Sequence, residues 1–409
     1  MIDFELSPHI EEKKEEMRRQ AMEILRPLAR EYDEKEHEIP WDYVNQMWDA
    51  EKADIAQQLA DLEAGTKRRE REFFLKQIVM AEELSCGDAG INMRRARYGL
   101  GGAAIMAVGT KEQKIRFLKK YTEGQPKWGA MAITEPGAGS DTANITTTAR
   151  REGDSWILNG EKIFVTGGLM SAKESDGLVV VWATVDKSAG RGGIKSFVVE
   201  AGTPGMTVTK LEDKLGIRCS DTASIVFEDC RIPYDNLLGS PEVLDKTKTT
   251  GFKGAMATFD ATRPAVAASA IGVARAALDF VREVFQKEGI PVRYGASLYS
   301  LKAAERDFME MEANLHAARL LTWRSACLMD VGQPNNLEAS MAKAKAGLAV
   351  TKVTQKAVEL LGPLGYSRKY LLEKWMRDAK INDIFEGTGQ INMLIVARRV
   401  LGFSSKQLK

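Results

Sequence analysis

The amino-acid sequence predicts an α+β protein with an N-terminal helical domain, a middle β domain and a C-terminal helical bundle. Apolar and charged residues recur at helical spacing over 1–125, short apolar runs separated by turn residues follow over 126–238, and the helical period returns over 239–409. A chain of 409 residues, 44% of them hydrophobic, is long enough for two or three domains.

The first domain, residues 1–125, is predicted to be helical because few glycines and prolines interrupt it before Gly87. The charged run 67–72 predicts a solvated surface. Residues 99–104 match the loose GxGxxA form of a dinucleotide fingerprint, but the arginine-rich stretch 94–97 precedes them where a strand is required. We therefore expect these glycines to serve backbone packing within the helical domain.

The second domain, residues 126–238, reads as short strands. Asn159-Gly160 between two apolar runs is typical of a two-residue hairpin turn. Further strands are predicted over 178–185, 196–199, 207–211 and 224–227. Because no long helix intervenes, we expect an antiparallel sheet or barrel and not a parallel nucleotide-binding unit.

The third domain, residues 239–409, carries apolar stripes at helical spacing, which predict a bundle of long helices. One stripe comprises Met311, Leu315, Ala318 and Leu321, and another comprises Ala346, Ala349, Val350, Val353, Ala357 and Leu360. We expect subunits to pack through this bundle.

Composition narrows the function classes. A net charge of +1 argues against a strongly basic nucleic-acid-binding surface. The four cysteines show no CxxC pair and the three histidines lie far apart, so we expect free thiols, no metal site and a cytoplasmic location. The N-terminus lacks the apolar core of a signal peptide and the apolar runs are short, so we expect no membrane span.

The strongest sign of chemistry is a glutamate near the C-terminus. Glu386 lies on a Gly-containing turn directly before an apolar helix predicted over 391–401, and Thr388 can cap that helix. The positive end of the helix dipole would then point toward the turn. A carboxylate there suits a base that removes a proton beside a polarised carbonyl, although on local spacing alone a solvated acid is the commoner case.

Two other segments carry polar groups that suit a ligand. The loop 134–141, Thr-Glu-Pro-Gly-Ala-Gly-Ser-Asp, can present backbone N–H groups to an anionic or polar ligand, and taken alone it is also compatible with a strand-ending turn. Asp260 and Arg263 have the spacing of an i,i+3 surface ion pair, and the alternative is a polar clamp on a ligand that crosses the helix.

Four segments in order resemble the acyl-CoA dehydrogenase family: 132–141, 158–168, 259–264 and 376–388. The likeness extends over nearly the whole chain. It implies the same α–β–α fold, an FAD cofactor, an acyl-CoA thioester substrate and a homotetramer. It also implies that electrons pass to an electron-transfer flavoprotein.

The resemblance also implies roles for individual residues. Glu386 matches the base that removes the α proton, and no glutamate lies between Glu242 and Glu283, where other members carry theirs. The backbone N–H of Glu386 and an FAD ribityl hydroxyl match the oxyanion hole. Residues that match FAD contacts are Met131, Ile133, Thr134, Gly139, Ser140, Phe164, Val165, Thr166, Thr388 and Gln390 within one subunit, and Arg293, Tyr294, Glu359 and Gly362 across the subunit boundary. Residues that match substrate contacts are Ser140, Asp260 and Arg263.

The sequence departs from the family pattern in two places. Around the interface cofactor, the arginine of 291–295 is shifted, and Lys302 and Glu359 replace two glutamines. At the acyl end of the pocket, where many members carry small or apolar residues, this chain has three arginines: Arg94, Arg95 and Arg97. A solvated helix face is one interpretation of them, and a contact with a free carboxylate on a dicarboxylic acyl-CoA is the other.

The expected function is FAD-dependent α,β-dehydrogenation of an acyl-CoA thioester to the 2-enoyl-CoA, with a carboxylate-bearing acyl group as one option. Two alternatives remain open at this point. One is an acyl-CoA oxidase or enoyl-CoA reductase on the same fold, and the other is a non-catalytic, nucleic-acid-associated member.

Overall fold

The structure, a computed structural model, describes residues 5–65, 72–243, 250–403 and 407. The predicted charged run 67–72 lies outside these residues except for Glu72. The order of helical, β and helical parts confirms the predicted fold class.

The N-terminal part is helical. Its α-helices are α1 (Pro8–Gln20), α2 (Arg26–Glu34), α3 (Trp41–Ala64), α4 (Phe73–Gly87), α5 (Ala89–Met93), α6 (Gly99–Val108) and α7 (Lys111–Leu118), with a π-helical turn between α1 and α2. Gly99 and Gly101 bring α6 close to the middle domain. A Cβ on Gly99 would lie 2.5 Å from the Gly129 carbonyl oxygen, and a Cβ on Gly101 would lie 2.6 Å from the Ala130 carbonyl oxygen. The glycines therefore serve packing, as predicted, but against a strand and not within the helical domain.

The middle part is a twisted sheet. Its strands are β1 (Gly129–Ala132), β2 (Thr148–Glu152), β3 (Ser155–Thr166), β4 (Leu178–Thr184), β5 (Ile194–Glu200), β6 (Met206–Leu211) and β7 (Thr222–Pro233). They lie in the order β1-β4-β2-β3-β7-β6, and β5 pairs with β4. Most pairings are antiparallel, but β1 and the first residue of β2 run parallel to β4.

The predicted hairpin turn at Asn159-Gly160 is wrong. Both residues lie inside β3, where the register with β7 shifts between Leu158 and Gly160. Asn159 exchanges hydrogen bonds with Asp229 of β7, at 3.1 and 2.9 Å, so its side chain serves pairing between strands and not a turn. Gly160, at φ 148°, approaches Thr147 closely, which explains the glycine.

The C-terminal part is a helical bundle. Its helices are α8 (Thr250–Lys287), α9 (Ala303–Asp330), α10 (Asn336–Leu361), α11 (Pro363–Tyr366), α12 (Leu372–Ala379) and α13 (Gly389–Leu401). Most residues of the two predicted apolar stripes lie buried in one core formed by α8, α9, α10 and α12 of the same chain. The stripes are therefore filled within the subunit and do not indicate contact between subunits.

The segment Thr258–Lys287 of α8 is long and apolar enough to cross a membrane by length and composition alone. In the structure 72% of its apolar window is buried, as in the core helix of a bundle. Such a helix is weak evidence for a membrane span.

A buried charge cluster ties the three parts together. Lys374 of α12 forms ion pairs with Asp88, at 2.5 Å, and with Asp378, at 2.6 Å. The backbone N–H of Ile217 donates to Asp378 at 2.6 Å. Because these groups come from the N-terminal, middle and C-terminal parts, the cluster holds the three parts against one another.

Candidate active site

The Glu386 loop has an uncommon backbone conformation that its neighbours hold in place. Glu386 has φ 52° and Gly387 φ 93°, and a non-glycine residue in this left-handed region costs about 1–3 kcal/mol. The Asn392 side chain donates to the carbonyls of Gly387, at 2.9 Å, and Thr388, at 3.0 Å. As predicted, Thr388 caps α13, since its hydroxyl accepts a hydrogen bond from Ile391 N at 3.3 Å. A strained backbone of this kind persists only where surrounding contacts hold it in place, and such residues cluster at functional sites.

The Glu386 carboxylate faces a polar cluster supplied by α8. The Thr262 hydroxyl donates to Glu386 Oε2 at 2.7 Å. Burial raises the pKa of Glu386, while Thr262, Arg263, Lys343 and Arg97 act in the opposite direction. A carboxylate whose pKa is raised above its usual value is a stronger base than an exposed one. The hydrogen bond and the nearby cations favour its ionised form, which is the form that accepts a proton.

Arg263 lies beneath the Glu386 loop and not on the surface. It is 4% exposed, and one of its terminal nitrogens lies 3.8 Å from where a Cβ on Gly387 would stand. Its ion pair with Asp260, at 2.7 Å, has the predicted i,i+3 spacing. The expectation of a surface pair is wrong, because α8 runs through the interior of the bundle and buries this face. Asp260 remains partly exposed and stays a candidate for substrate contact.

The loop 134–141 is held from behind by a buried ion pair. Glu135 accepts hydrogen bonds from Lys162 Nζ, at 2.7 Å, from Thr147 N, at 2.9 Å, and from both the N–H and the hydroxyl of Thr146. Lys162 also donates to the Ile133 carbonyl at 3.1 Å. The loop is thereby fixed at the end of β1 and against β3.

The open side of this loop fits a flavin. Gly139 and Ser140 are exposed, and a Cβ on Gly139 would meet nothing within 4 Å, so a ligand can approach the loop backbone. Met131 and Ile133, by contrast, are 7% exposed each and support the loop from the core. Thr134 is partly exposed at the edge of the cradle.

The tip of β3 supplies the second wall of the cradle. The Ile163 N–H donates to the Thr134 carbonyl at 2.9 Å, which joins the two predicted flavin-lining segments. Phe164 has φ 57° and is 59% exposed, so a large aromatic ring stands free at the rim. Val165 is buried in the core, which leaves only its backbone to face a ligand, and Thr166 is partly exposed.

Helix α8 links the cradle to the Glu386 loop. Phe259 packs against the core cluster that contains Met131 and Ile133. Thr262 and Arg263, one turn further along, contact the Glu386 loop. One helix therefore positions the candidate base relative to the candidate flavin loop.

The three arginines have separate environments. Arg94 is buried, forms an ion pair with Asp221 and donates to the His37 carbonyl at 3.0 Å. Arg95 forms an ion pair with Glu51. The side chain of Arg97 is solvent-exposed, and it makes no hydrogen bond or ion pair within the described residues. Its positive charge acts on Glu386, where it favours the ionised carboxylate.

The remaining predicted cofactor residues lie at the surface of the C-terminal part. Arg293 is paired with Glu305 at 2.7 Å, and the Tyr294 hydroxyl donates to Glu312 at 2.5 Å. Glu359 is exposed and pairs with Lys356, at 2.7 Å, and Gly362 ends α10 at φ 51°. Gln390 is exposed in the first turn of α13. The contacts of Arg293, Tyr294, Glu359 and Gly362 with the cofactor of another subunit remain predictions. The contact of Gln390 with the cofactor of its own subunit is also a prediction.

Sequence reasoning missed four supporting residues: Glu135, Lys162, Thr262 and Lys343. The first three lie inside the segments that carried the family resemblance, but nothing local marks Lys162 as buried or Thr262 as a partner of Glu386. Among the described residues no cluster of three or more His, Cys, Asp or Glu could hold a metal ion. All four cysteines are free, and Cys327 is exposed.

Comparison with known proteins identifies the family. The N-terminal, middle and C-terminal domain models of acyl-CoA dehydrogenase match residues 7–125, 130–230 and 249–401. The mitochondrial short-chain specific acyl-CoA dehydrogenase of Bos taurus is 39% identical over 383 residues, which cover 93% of this chain and 87% of that protein.

Solved structures of known proteins have the same fold as this chain. The glutaryl-coenzyme A dehydrogenase glutaryl-CoA complex superposes with a TM-score of 0.84 at 27% identity over 98% of each chain. A chain in the structure of the electron transferring flavoprotein of Acidaminococcus fermentans superposes with a TM-score of 0.83 at 36% identity, over 98% of this chain and 100% of that one. The protein therefore belongs to the acyl-CoA dehydrogenase family of FAD-dependent oxidoreductases that act on a CH–CH bond.

Proposed function

We propose that the protein dehydrogenates an acyl-CoA thioester to the 2-enoyl-CoA, with Glu386 as the base that removes the α proton. Bound FAD supplies the acceptor for the hydride that leaves the β carbon. The observation that carries the assignment is the Glu386 carboxylate itself, held by Thr262 in a strained loop, with its pKa raised by burial. FAD would be held by the loop 134–140, by the tip of β3 and by the first turn of α13.

The same loop can stabilise the charge that develops on the thioester oxygen. Within the described part of the chain, the Glu386 backbone N–H donates to no protein acceptor. A free N–H that is aimed at a developing enolate oxygen lowers the barrier, since it costs no reorganisation during the reaction. Arg263 adds positive charge below the loop, which opposes the rise of the Glu386 pKa.

The test is Glu386→Gln, which preserves shape and removes basicity. We expect the variant to retain FAD, while anaerobic bleaching of the flavin by an acyl-CoA slows by roughly 10²–10⁴, the range for a positioned general base. Glu310→Gln, an exposed change on α9, is the matched control and should bleach normally. Near-normal bleaching in Glu386→Gln would refute the assignment.

We also propose that the acyl group carries a second carboxylate, which Arg97 binds. The support is the difference among the three arginines: Arg94 and Arg95 are already paired, whereas Arg97 has no hydrogen bond or ion pair among the described residues and its charge acts on Glu386. An unpaired guanidinium is well suited to a bidentate contact with a carboxylate. The similarity to a glutaryl-coenzyme A dehydrogenase is compatible with such a substrate.

The test compares glutaryl-CoA with butyryl-CoA. Arg97→Gln should lower kcat/KM for glutaryl-CoA by roughly tenfold or more, the scale of one charge-assisted contact, and leave butyryl-CoA nearly unchanged. Arg95→Gln is the control, because that arginine is committed to Glu51. If straight-chain monocarboxylic thioesters are clearly the best substrates of the unmodified protein, the second carboxylate is ruled out.

Two further proposals concern the electron acceptor and the assembly. We propose an electron-transfer flavoprotein as the acceptor, supported by the structural similarity named above, and a slow reaction of the reduced enzyme with oxygen would separate this from an oxidase. We also propose a homotetramer. Its support is an exposed apolar face on α13, where Met393, Leu394, Val400 and Leu401 are 45–63% exposed. Light scattering that shows an active, FAD-saturated monomer would contradict it.

A further inference from the structure

Lys343 is a buried basic residue near the candidate site. It lies on α10, is 1% exposed, and its Nζ has no hydrogen-bond partner among the described residues. A buried ammonium group is normally paired, because its transfer from water is costly. An unpaired one therefore calls for a reason beyond packing.

The charged groups that act on Lys343 come from two neighbouring elements. Asp383 and Glu386 lie on the segment between α12 and α13, and Arg263 lies on α8. A Cβ on Gly347, one turn along α10, would lie 2.9 Å from the Asn382 carbonyl oxygen and 3.1 Å from Asp383 Cα. This close approach fixes α10 directly against the segment that carries both carboxylates.

The charge state of Lys343 follows from these neighbours. Burial lowers its pKa to about 8, Asp383 and Glu386 oppose that shift, and Arg263 adds to it. The amine therefore keeps its proton through neutral pH and loses it above about pH 8. Arg263 is bound to Asp260, at 2.7 Å, whereas Lys343 has no hydrogen-bonded counter-ion among the described residues. Asp383 already pairs with Lys380 at 3.7 Å, so the field of Lys343 falls on Glu386 as well as on Asp383.

We propose that Lys343 is a positioning residue for the base: its buried positive charge beneath the 383–386 segment keeps the Glu386 carboxylate ionised. This inference rests on the proposed role of Glu386. Burial drives that carboxylate toward its neutral form, which cannot accept a proton. Lys343 acts against this without touching the substrate, so that the base can be partly buried and still charged.

The experiment is a pH profile of anaerobic flavin bleaching by saturating substrate, measured for Lys343→Met. Loss of the positive charge should move the acid limb to higher pH, so that the rate on that limb falls roughly threefold or more while the plateau changes little. Lys352→Met, an exposed change on the same helix, is the matched control and should leave the profile unchanged.

Asp383→Asn is the second variant, and it should act in the opposite direction. It removes the carboxylate that competes with Glu386 for the charge of Lys343 and also releases Lys380 from its pair with Asp383, so the acid limb should move to lower pH. A purely structural role for Lys343 does not predict opposite shifts from these two variants. If Lys343→Met fails to bind FAD, Lys343→Gln and Asp383→Asn still decide the matter.

Two outcomes would overturn the proposal: an acid limb that does not move in a folded, FAD-bound Lys343 variant, or shifts of the same sign in both positions. Glu386→Gln separates these from failure of the proposed function. If that variant bleaches normally, the assignment of the base is wrong. If it is inactive while the Lys343 profile is unchanged, only the role of Lys343 is wrong.

Discussion

Replacing Lys162 with Met should destabilise the flavin loop, because it leaves the buried Glu135 carboxylate without its cation. Lys162 is fully buried, and the Glu135 side chain is 2% exposed. Burial alone would raise the pKa of Glu135, but Lys162 and the hydrogen bonds from Thr147 and Thr146 outweigh it and lower that pKa to about 2. The pKa shifts of the two partners are unequal, since burial lowers the pKa of the Lys162 ammonium to about 8 despite Glu135. Glu135 has the larger number of partners, so its pKa shift reflects all the contacts that hold the loop.

The loss of stability can be obtained from the pKa shift of Glu135 and from the usual cost of breaking a buried ion pair. A fall of the Glu135 pKa from 4.5 to about 2 corresponds to about 3 kcal/mol of stability, shared between Lys162 and the threonines. Removing one partner of a buried ion pair typically costs about 3–5 kcal/mol. We therefore expect Lys162→Met to lower the free energy of unfolding by roughly 3 kcal/mol and to weaken FAD binding roughly tenfold or more, because the loop loses its anchor.

The matched control is Lys210→Met. Lys210 pairs with Glu212 at 2.7 Å, the same distance as the buried pair, but its side chain is 63% exposed. Exposed pairs contribute only about 0–1 kcal/mol, so urea unfolding and FAD titration should barely change in this variant. If the two lysine variants behave alike, the buried pair does not anchor the loop.

The pH dependence adds an independent check. Because the folded-state pKa of Glu135 is depressed, its contribution to stability is complete above about pH 4.5 and is lost as the pH falls toward about 2. Lys162→Met should flatten this part of the stability profile. A profile identical to that of the unmodified protein would contradict the reasoning.

Three further predictions concern stability. Arg94→Gln leaves the buried carboxylate of Asp221 unpaired and should cost roughly 3–5 kcal/mol in urea unfolding, whereas a change under 1 kcal/mol would contradict the pairing. Gly101→Ala forces a Cβ to within 2.6 Å of a β1 carbonyl and should cost about 1–3 kcal/mol, while Gly137→Ala, with nothing within 4 Å, should not destabilise the fold. Thr388→Ala removes the N-cap of α13 and should cost about 1 kcal/mol, with faster hydrogen exchange in its first turn, whereas Thr388→Ser should retain the cap.

The sequence predicted what depends on local patterns. The two changes of periodicity along the chain place the helical, β and helical parts because the period of apolar residues is itself a property of helix or strand. The N-cap at Thr388 was predictable for the same reason: a hydroxyl before Gly-Gln and an apolar run is a local arrangement. The Glu386 loop was predictable only together with the segments that resemble the family.

Tertiary contacts decided the rest. Asn159-Gly160 is a turn signal in isolation, yet strand pairing with Asp229 places it within β3. The stripes of α9 and α10 predicted buried faces correctly but not what buries them, because periodicity cannot distinguish a neighbouring helix from a neighbouring subunit. Arg263 shows the same limit: the spacing to Asp260 is local, but its burial depends on where α8 runs.

Backbone strain at the site had no sequence signal either. Among the described residues six non-glycines have positive φ, and two of them, Phe164 and Glu386, are residues to which the family resemblance assigned functional roles. Neither a phenylalanine nor a glutamate favours that region, so no pattern in the sequence predicts it. The cost is met by contacts distant in sequence, such as the hydrogen bond from Thr262 to Glu386.

The arginines show how pairing, and not residue type, defines the site. Arg94, Arg95 and Arg97 lie within four residues, but the chain leaves α5 at Met93 and turns toward β1, so the three side chains meet different elements. Asp221 of the middle domain neutralises Arg94, and Glu51 of α3 neutralises Arg95. The third remains unpaired in the described structure, as Lys343 does below the same carboxylate. We propose that this guanidinium is available to a carboxylate-bearing acyl chain, because such a substrate would supply the counter-ion that the described residues do not.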